Sequence, residues 1–215
     1  MLETKTYTLH EIAEELNMST DRQGINRKLQ RNNITFYTNG RGQNVTFHIL
    51  EIPAAFTFKT FCIKKLNFAV NSDFYKIRNL FYFFFNDEEF ATLPIEAKTE
   101  RLDDCGKYIC FQTISGYLDK LFAFDDSYSC NADYIYYFAL KGKRITTSKK
   151  EYLNAWHDYW AWRAEYNCSI ATLLIKDKYA GFPRKYGIPS LSAFPSDTIL
   201  ELIKLTNESY DEEFA

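Results

Sequence analysis

The chain has 215 residues, of which 46% are hydrophobic and 18% aromatic, so it can form one large or two small domains and is too apolar to be disordered. Its net charge of −2 excludes the overall basic character that many nucleic-acid-binding proteins carry, so any such surface has to be local. The longest apolar run, Leu80–Phe85, is far shorter than the roughly 20 residues of a membrane span, and the N-terminus lacks the pattern of a signal peptide.

The cysteines are typical of a reduced, intracellular protein. There are five, an odd number that argues against a closed disulfide framework, and none of their spacings is typical of a zinc site. They are Cys62, Cys105, Cys110, Cys130 and Cys168. We therefore expect free thiols in a cytoplasmic protein that needs no metal or other cofactor. The short apolar runs also predict that the protein does not span a membrane.

The first predicted element in chain order is a short helix. Thr8 followed by Glu11 has the spacing of a capping box, and apolar residues then recur at helical spacing as far as Leu16. Asn17 predicts the end of this helix, because asparagine tolerates the left-handed backbone conformation of a tight turn.

A second helix is predicted directly after this turn. Ser19 is a candidate for its N-terminal cap, and Ile25 and Leu29 form its inward-facing side. The pair Asn32–Asn33 predicts its end. The first helix would pack on the second at the small residue Ala13.

A β-hairpin is predicted after the second helix. Apolar residues alternate with polar ones in the flanking segments Ile34–Tyr37 and Val45–Ile49, and an Asn-Gly pair opens the intervening turn Asn39–Gly42. Pro53 predicts a boundary shortly after the hairpin. The order helix, turn, helix, hairpin is the plan of a winged helix.

The rest of the chain is predicted to be mostly helical, with a second hairpin. This hairpin consists of the strand Tyr134–Leu140, a turn at 141–143 and the strand Arg144–Thr146. A helix is predicted over 169–179 and a loop over 184–195. Because amphipathic helical segments precede this basic hairpin as well, a second winged helix is one interpretation of the region.

The predicted fold is therefore mainly α with small β-hairpin wings, an α+β class. We expect an N-terminal winged helix-turn-helix domain over residues 1–52. A larger helical domain follows over residues 53–215 and carries the second hairpin near residues 134–146.

Positive charge is concentrated in the second helix and the first hairpin. Five basic residues and no acidic one lie between Arg22 and Leu50. Arginine pairs with guanine, and asparagine or glutamine with adenine, in the major groove of DNA, while lysine and arginine also contact phosphate. The candidate DNA-binding residues of this region are Thr20, Arg22, Gln23, Asn26, Arg27, Lys28, Arg31, Asn39 and Arg41. The second hairpin adds Lys141, Lys143 and Arg144.

The segment TLHEIAEELNMSTDRQGINRKL resembles the helix-turn-helix of bacterial and phage regulators. The following hairpin makes it similar to the winged, MerR/excisionase-like branch of DNA-binding proteins from phages and plasmids. The chain departs from this pattern at Gly24, which lies inside the presumed recognition helix, and at Ile25, which comes about two residues later than the usual apolar position.

The resemblance implies a sequence-specific double-stranded DNA-binding protein that regulates transcription or replication, acting as a homodimer on a palindromic site. The alternative interpretation is a phage-encoded anti-CRISPR or other anti-defence inhibitor. In that case the helix-turn-helix is autoregulatory and the C-terminal domain binds a host nuclease or a nuclease–RNA complex.

Catalytic chemistry finds little support in the residue pattern. The three histidines, His10, His48 and His157, have no cysteine, serine or carboxylate partner at a known catalytic spacing, and we expect no enzyme activity. Aromatic residues recur at helical spacing from Tyr152 to Tyr166. We interpret this stripe as core or dimer interface, with base stacking as the alternative.

Overall fold

The computed structural model describes residues 1–140, 143–166 and 182–213. Its described strands are β1 (Thr6–Thr8), β2 (Thr35–Asn39), β3 (Thr46–Glu51), β4 (Tyr128–Leu140), β5 (Lys143–Thr147) and β6 (Phe182–Leu191). Its described helices are α1 (Leu9–Glu15), α2 (Arg22–Arg31), α3 (Ala54–Lys65), α4 (Phe74–Asn86), α5 (Glu88–Thr92), α6 (Ile95–Asp104), α7 (Phe111–Phe124), α8 (Lys149–Tyr166) and α9 (Asp197–Asp211). These helices and two antiparallel three-stranded sheets agree with the predicted α+β class.

The predicted signals at the start and the end of α1 are present in the structure. The Thr8 hydroxyl accepts a hydrogen bond from the Glu11 backbone N–H, and the Glu11 carboxylate accepts one from the Thr8 N–H, so the capping box is confirmed. Hydrogen bonds from the Thr8 backbone N–H and hydroxyl to the Glu11 carboxylate hold the pKa of Glu11 below its usual range. Asn17 has a φ of 50°, the left-handed conformation that its position predicted.

The predicted cap of α2 is wrong by two residues. Asp21, and not Ser19, accepts hydrogen bonds from the backbone N–H groups of Gln23 (3.1 Å) and Gly24 (2.9 Å). Both residue types cap helices well, so propensity alone did not separate them. The predicted end of the helix is confirmed by Asn33, which has a φ of 54°.

The first sheet has the strand order β1-β3-β2. The predicted hairpin is confirmed by β2 and β3, whereas β1 was not predicted because it is only three residues long. A continuous core joins the sheet to α1 and α2, with Ile12, Ile25 and Phe47 fully buried in it. Its members are Leu2, Tyr7, Leu9, Ile12, Ala13, Leu16, Ile25, Leu29, Ile34, Val45, Phe47 and Ile49.

The chain divides into two compact units. The first consists of Met1–Asn86, Tyr117–Ser127 and the described residues from Phe194 onward. The second consists of the described residues of Asp87–Gly116 and Tyr128–Ala193. The first unit therefore continues past residue 52, where the sequence predicted the end of the N-terminal domain.

Outside the first sheet, aromatic contacts join the helices of the first unit. The rings of Tyr82 on α4 and Tyr210 on α9 stack with their centroids 3.5 Å apart. Arg78 of α4 is 6% exposed, donates to the Ser209 carbonyl at 3.0 Å and pairs with Glu213. The acidic C-terminal segment is thereby held against α4.

The second unit contains a sheet with the strand order β5-β4-β6. Its β4–β5 hairpin is confirmed, but the predicted loop over 184–195 is wrong because Phe182–Leu191 forms β6. Pro183 and Pro189 fit here because β6 pairs only with β4 among the described strands, and proline is tolerated in such edge positions. The helix predicted over 169–179 lies outside the described residues. Among the described helices, none has both the length and the apolar composition needed to cross a membrane.

Candidate nucleic-acid interface

Helix α2 has one buried side and one exposed side. Ile25 and Leu29 are fully buried against α1 and the first sheet. The three arginines Arg22, Arg27 and Arg31 are exposed, as are Gln23 and Gln30. Gln23, Arg27 and Arg31 therefore form a row on the side that faces away from the core. Arg22 stands one turn before Ile25 on the other side, at the exposed start of the helix.

Gly24 makes room for the cap at the start of this helix. A Cβ atom at position 24 would lie 2.8 Å from Asp21 Oδ2, the oxygen that accepts the Gly24 N–H. Any larger residue would push that carboxylate away. The glycine that departs from the family pattern is thus explained by the local geometry of this N-terminus.

The Arg22 side chain links α2 to the hairpin. Its Nη2 donates to the Thr38 hydroxyl of β2 at 3.1 Å, across the first turn of the helix. Arg22 remains exposed, so its remaining guanidinium donors are accessible from solvent. This bond holds the side chain beside the strand that leads into the hairpin loop.

Lys28 occupies a different position from the arginines. Its Nζ donates to the Leu16 carbonyl at 2.6 Å, at the C-terminal end of α1. Burial, together with the nearby charge of Lys59, lowers the pKa of Lys28. This ammonium group is therefore engaged in joining the two helices.

Asn26 also points partly inward. Its side chain is half-buried, and Oδ1 is buried without a hydrogen-bond partner among the described residues. Thr20 precedes the helix and is exposed. Of the residues predicted on α2, the arginines and Gln23 are thus the most accessible.

The hairpin loop carries the remaining candidates of the first unit. Asn39 and Arg41 are both exposed, and Asn39 Oδ1 accepts a hydrogen bond from the Gly40 N–H at 2.8 Å, which shapes the loop. The Arg41 guanidinium lies in a solvent-exposed run from Asn39 to Asn44. The loop therefore presents one cation and several amides.

The first sheet also presents a stacked aromatic pair that sequence reasoning missed. Tyr37 is 52% exposed and stacks on His48, with the ring centroids 4.4 Å apart. His48 in turn is bonded to the hydroxyls of Thr6 (2.8 Å) and Thr46 (3.2 Å). Strand alternation placed Phe36 inward and could have indicated that Tyr37 points outward.

The candidates of the second hairpin belong to the second unit. Lys141 lies outside the described residues, and Lys143 begins β5. Arg144 forms a 2.9 Å ion pair with Glu100 of α6, so part of its charge is compensated. Arg144 is therefore less suited to phosphate contact than the arginines of α2.

Comparisons of the chain with protein-family models, with curated protein sequences and with solved structures give no match.

Proposed function

We propose that the first unit is a winged helix-turn-helix that binds double-stranded DNA, with α2 in the major groove and the β2–β3 loop beside it. The observation that carries this proposal is the exposure of Arg27 and Arg31, together with Gln23, on the side of α2 opposite Ile25 and Leu29. A helix that crosses into the groove needs such a free cationic side.

The element order supports the same assignment. A short strand, two helices joined by a tight turn, and a hairpin follow one another in the first 51 residues. The hydrogen bond from Arg22 to Thr38 joins the start of α2 to β2, so this end of the helix lies beside the hairpin.

The charge distribution supports it as well. The overall net charge is −2, yet the segment from Arg22 to Leu50 contains only basic charges. The acidic residues Glu11 and Glu14 lie on α1, outside this segment. A local excess of cations provides the salt-dependent attraction to phosphate on which duplex binding depends.

In the proposed complex, some side chains contact bases and others contact phosphate. On this proposal Arg27 and Gln23 contact base edges, because arginine recognises guanine and glutamine recognises adenine. Arg31 and Arg41 then contact phosphate. We propose that the protein regulates transcription or replication as a homodimer, since paired helices on a palindromic site provide specificity.

The test is DNA selection with the full chain. A random duplex pool is enriched for bound sequences at about 50 mM salt, and the affinity of the best duplex is measured. We expect Arg27→Ala to weaken that affinity at least about tenfold, because a good base contact contributes roughly 1–3 kcal/mol.

Arg101→Ala is the matched control. Arg101 is exposed at the end of α6 in the second unit, so the substitution changes the net charge equally without touching α2. Its affinity should stay within twofold of the wild type. Failure to enrich any duplex, or equal binding by the Arg27 and Arg101 variants, would contradict the proposal.

A further inference from the structure

The Arg22 side chain has a neutral hydrogen-bond partner. Its Nη2 atom donates to the Thr38 hydroxyl at 3.1 Å, and among the described residues no carboxylate forms an ion pair with it. Other arginines in the described part of the chain pair with carboxylates instead: Arg78 with Glu213, Arg144 with Glu100 and Arg184 with Glu96. A carboxylate partner compensates the positive charge that attracts a phosphate, whereas a hydroxyl leaves that charge in full. Arg22 therefore combines a hydrogen-bonded side chain with an uncompensated charge.

Strand alternation brings the Thr38 hydroxyl to the start of α2. Thr38 lies opposite Phe47 of β3, whose ring is fully buried, so both side chains leave the inner face of the sheet, on which α2 packs. Tyr37, the preceding residue of β2, points to the outer face and is 52% exposed. Thr38 is half-buried. It thus places a polar group on a mostly apolar face of the sheet, and that group meets Arg22 in the first turn of α2.

The bond leaves most of the guanidinium available. Arginine has five N–H donors, and the bond to Thr38 uses one of them. Arg22 is exposed, so its other donors are accessible from solvent. In the free protein the bond also restricts the rotamers of a long side chain, and a restricted side chain loses less conformational freedom when it binds. A hydroxyl that orders an arginine without neutralising it is thus suited to prepare that arginine for an anion.

We propose that Thr38 is a positioning residue, which orients the Arg22 guanidinium for contact with a DNA phosphate where α2 borders the hairpin. This inference rests on the proposed function of the first unit. Gln23, Arg27 and Arg31 lie in a row on the exposed side of α2, whereas Arg22 lies outside that row, beside β2. A cation beside the row suits the DNA backbone, which flanks the base edges of the groove.

The test compares DNA binding by the full chain and its variants, with a mixed-sequence duplex of about 20 base pairs as the probe. Phosphate contacts do not depend on sequence, so this probe requires no knowledge of the preferred site. Fluorescence anisotropy gives the affinity at salt concentrations from about 50 to 200 mM. We expect Arg22→Ala to weaken the binding at least about fivefold at the lowest salt concentration and to reduce the log–log salt slope by about 0.9, because one phosphate contact is lost.

Thr38→Val should weaken the binding without changing its salt dependence. The substitution removes the hydroxyl and keeps a β-branched side chain that suits a strand, so the Tm should hardly change. We expect an affinity about threefold weaker and an unchanged salt slope, because Arg22 still reaches the phosphate but is ordered only on binding. Thr38→Ser keeps the hydroxyl and should bind as the wild type does. The matched control is Thr35→Val, since Thr35 is exposed on the same strand and its hydroxyl contacts Glu51.

A double-mutant cycle tests whether Thr38 acts through Arg22. In the Arg22→Ala background, Thr38→Val should change the affinity less than about 1.5-fold, since no guanidinium is left to orient. Thr38→Ala removes the same hydroxyl in a smaller side chain and should give the same coupling. A general effect of Thr38 on the fold would instead weaken the binding equally with and without Arg22.

The outcomes separate the role of Thr38 from the function on which it rests. If the wild type binds no duplex, the proposed function fails and the role of Thr38 fails with it. If the wild type binds DNA but Arg22→Ala or Thr38→Val binds equally well, only the positioning role is overturned. Equal losses from Thr38→Val with and without Arg22, or a Thr38→Ser variant as weak as Thr38→Val, would overturn that role as well.

Discussion

Two glycines in the β2–β3 loop hold backbone conformations that set the shape of the hairpin tip. Gly40 has a φ of 87° and Gly42 a φ of 61°. A Cβ atom at Gly40 would lie 2.5 Å from the Asn44 carbonyl oxygen, whereas a Cβ atom at Gly42 would meet nothing within 4 Å. The two positions therefore differ in steric cost while they share the left-handed conformation.

We expect Gly40→Ala to destabilise the protein by about 2 kcal/mol or more, and Gly42→Ala by about 1 kcal/mol. Thermal unfolding followed by circular dichroism should give the order wild type, Gly42 variant, Gly40 variant from highest to lowest Tm. Equal Tm values for the two variants would show that the contact with Asn44 has no influence on stability.

The Lys28 side chain is expected to stabilise the fold and not to contact phosphate. Because its Nζ bonds the Leu16 carbonyl, Lys28→Gln should lower the free energy of unfolding by about 1 kcal/mol. The same change should leave the salt dependence of DNA binding unaltered. Urea unfolding and DNA titrations over a range of salt concentrations measure the two effects separately, and a shallower salt slope would show that Lys28 meets a phosphate after all.

Single residues with local partners were the easiest to predict. The Thr8–Glu11 capping box and the left-handed Asn17 depend only on residues within a few positions of each other. The bond from Lys28 to Leu16 joins two helices, so no local pattern around Lys28 could indicate that its ammonium group is engaged. The exposed side of α2 followed from the helical period, because Ile25 and Leu29 fixed the opposite side.

Helix α3 begins without a side-chain cap of its own, because Pro53 precedes it. The Glu212 carboxylate, at the end of α9, accepts hydrogen bonds from the N–H groups of Ala54 (3.3 Å) and Ala55 (3.0 Å). A carboxylate at a helix N-terminus also interacts favourably with the helix dipole. Glu212 thus caps the N-terminus of α3 from a position far away in the sequence.

Removal of this cap should lower the stability of the protein by a measurable amount. We expect Glu212→Ala to lower the free energy of unfolding by about 1 kcal/mol. Glu201→Ala, at an exposed position of the same helix, is the control for helix propensity and should change stability little. If both variants unfold alike, the carboxylate has no capping role in solution.

The junction before α9 predicts a pH dependence. Hydrogen bonds from Ser127 and then from Ser196 hold the pKa of Asp125 below its ordinary value of 3.8. A carboxyl group whose pKa is lowered by folding stabilises the protein above the unfolded pKa, and that contribution is lost as the pH falls through the folded pKa. The Tm advantage of the wild type over Asp125→Asn should therefore shrink as the pH falls below about 4. A constant difference from pH 3 to 7 would contradict this assignment.

Elements with a hydrophobic period or a turn signal in their own sequence could be predicted. The short strand β1 and the proline-containing strand β6 could not. Helices α1 and α2 and the β2–β3 hairpin each show a clear period or turn signal. β1 is three residues long, and β6 contains Pro183 and Pro189, which normally argue against a strand. What makes both of them strands is a pairing partner far away in the chain, β3 in one case and β4 in the other.

The whole chain carries a net negative charge, so the proposed attraction to DNA has to come from a few residues. Four exposed arginines of the proposed interface can meet phosphates or bases: Arg22, Arg27, Arg31 and Arg41. Because Arg27 is assigned to a base, three phosphate contacts remain, which give a log–log salt slope of about −2.7, against about −3.6 if Lys28 took part as well. Titrations from about 50 to 200 mM salt measure this slope, and a slope near zero would exclude phosphate contact as the source of affinity.

The first unit is assembled from three separate stretches of the sequence, and its last stretch includes α9. During synthesis, the segments of the second unit leave the ribosome before α9 does. Until α9 has been synthesised, the surface of α4 that contacts Tyr210 and Glu213 therefore stays uncovered in the nascent first unit. A chain stalled or truncated before α9 would expose this aromatic surface to chaperones and proteases, so the persistence of the first unit in the cell depends on the synthesis of α9.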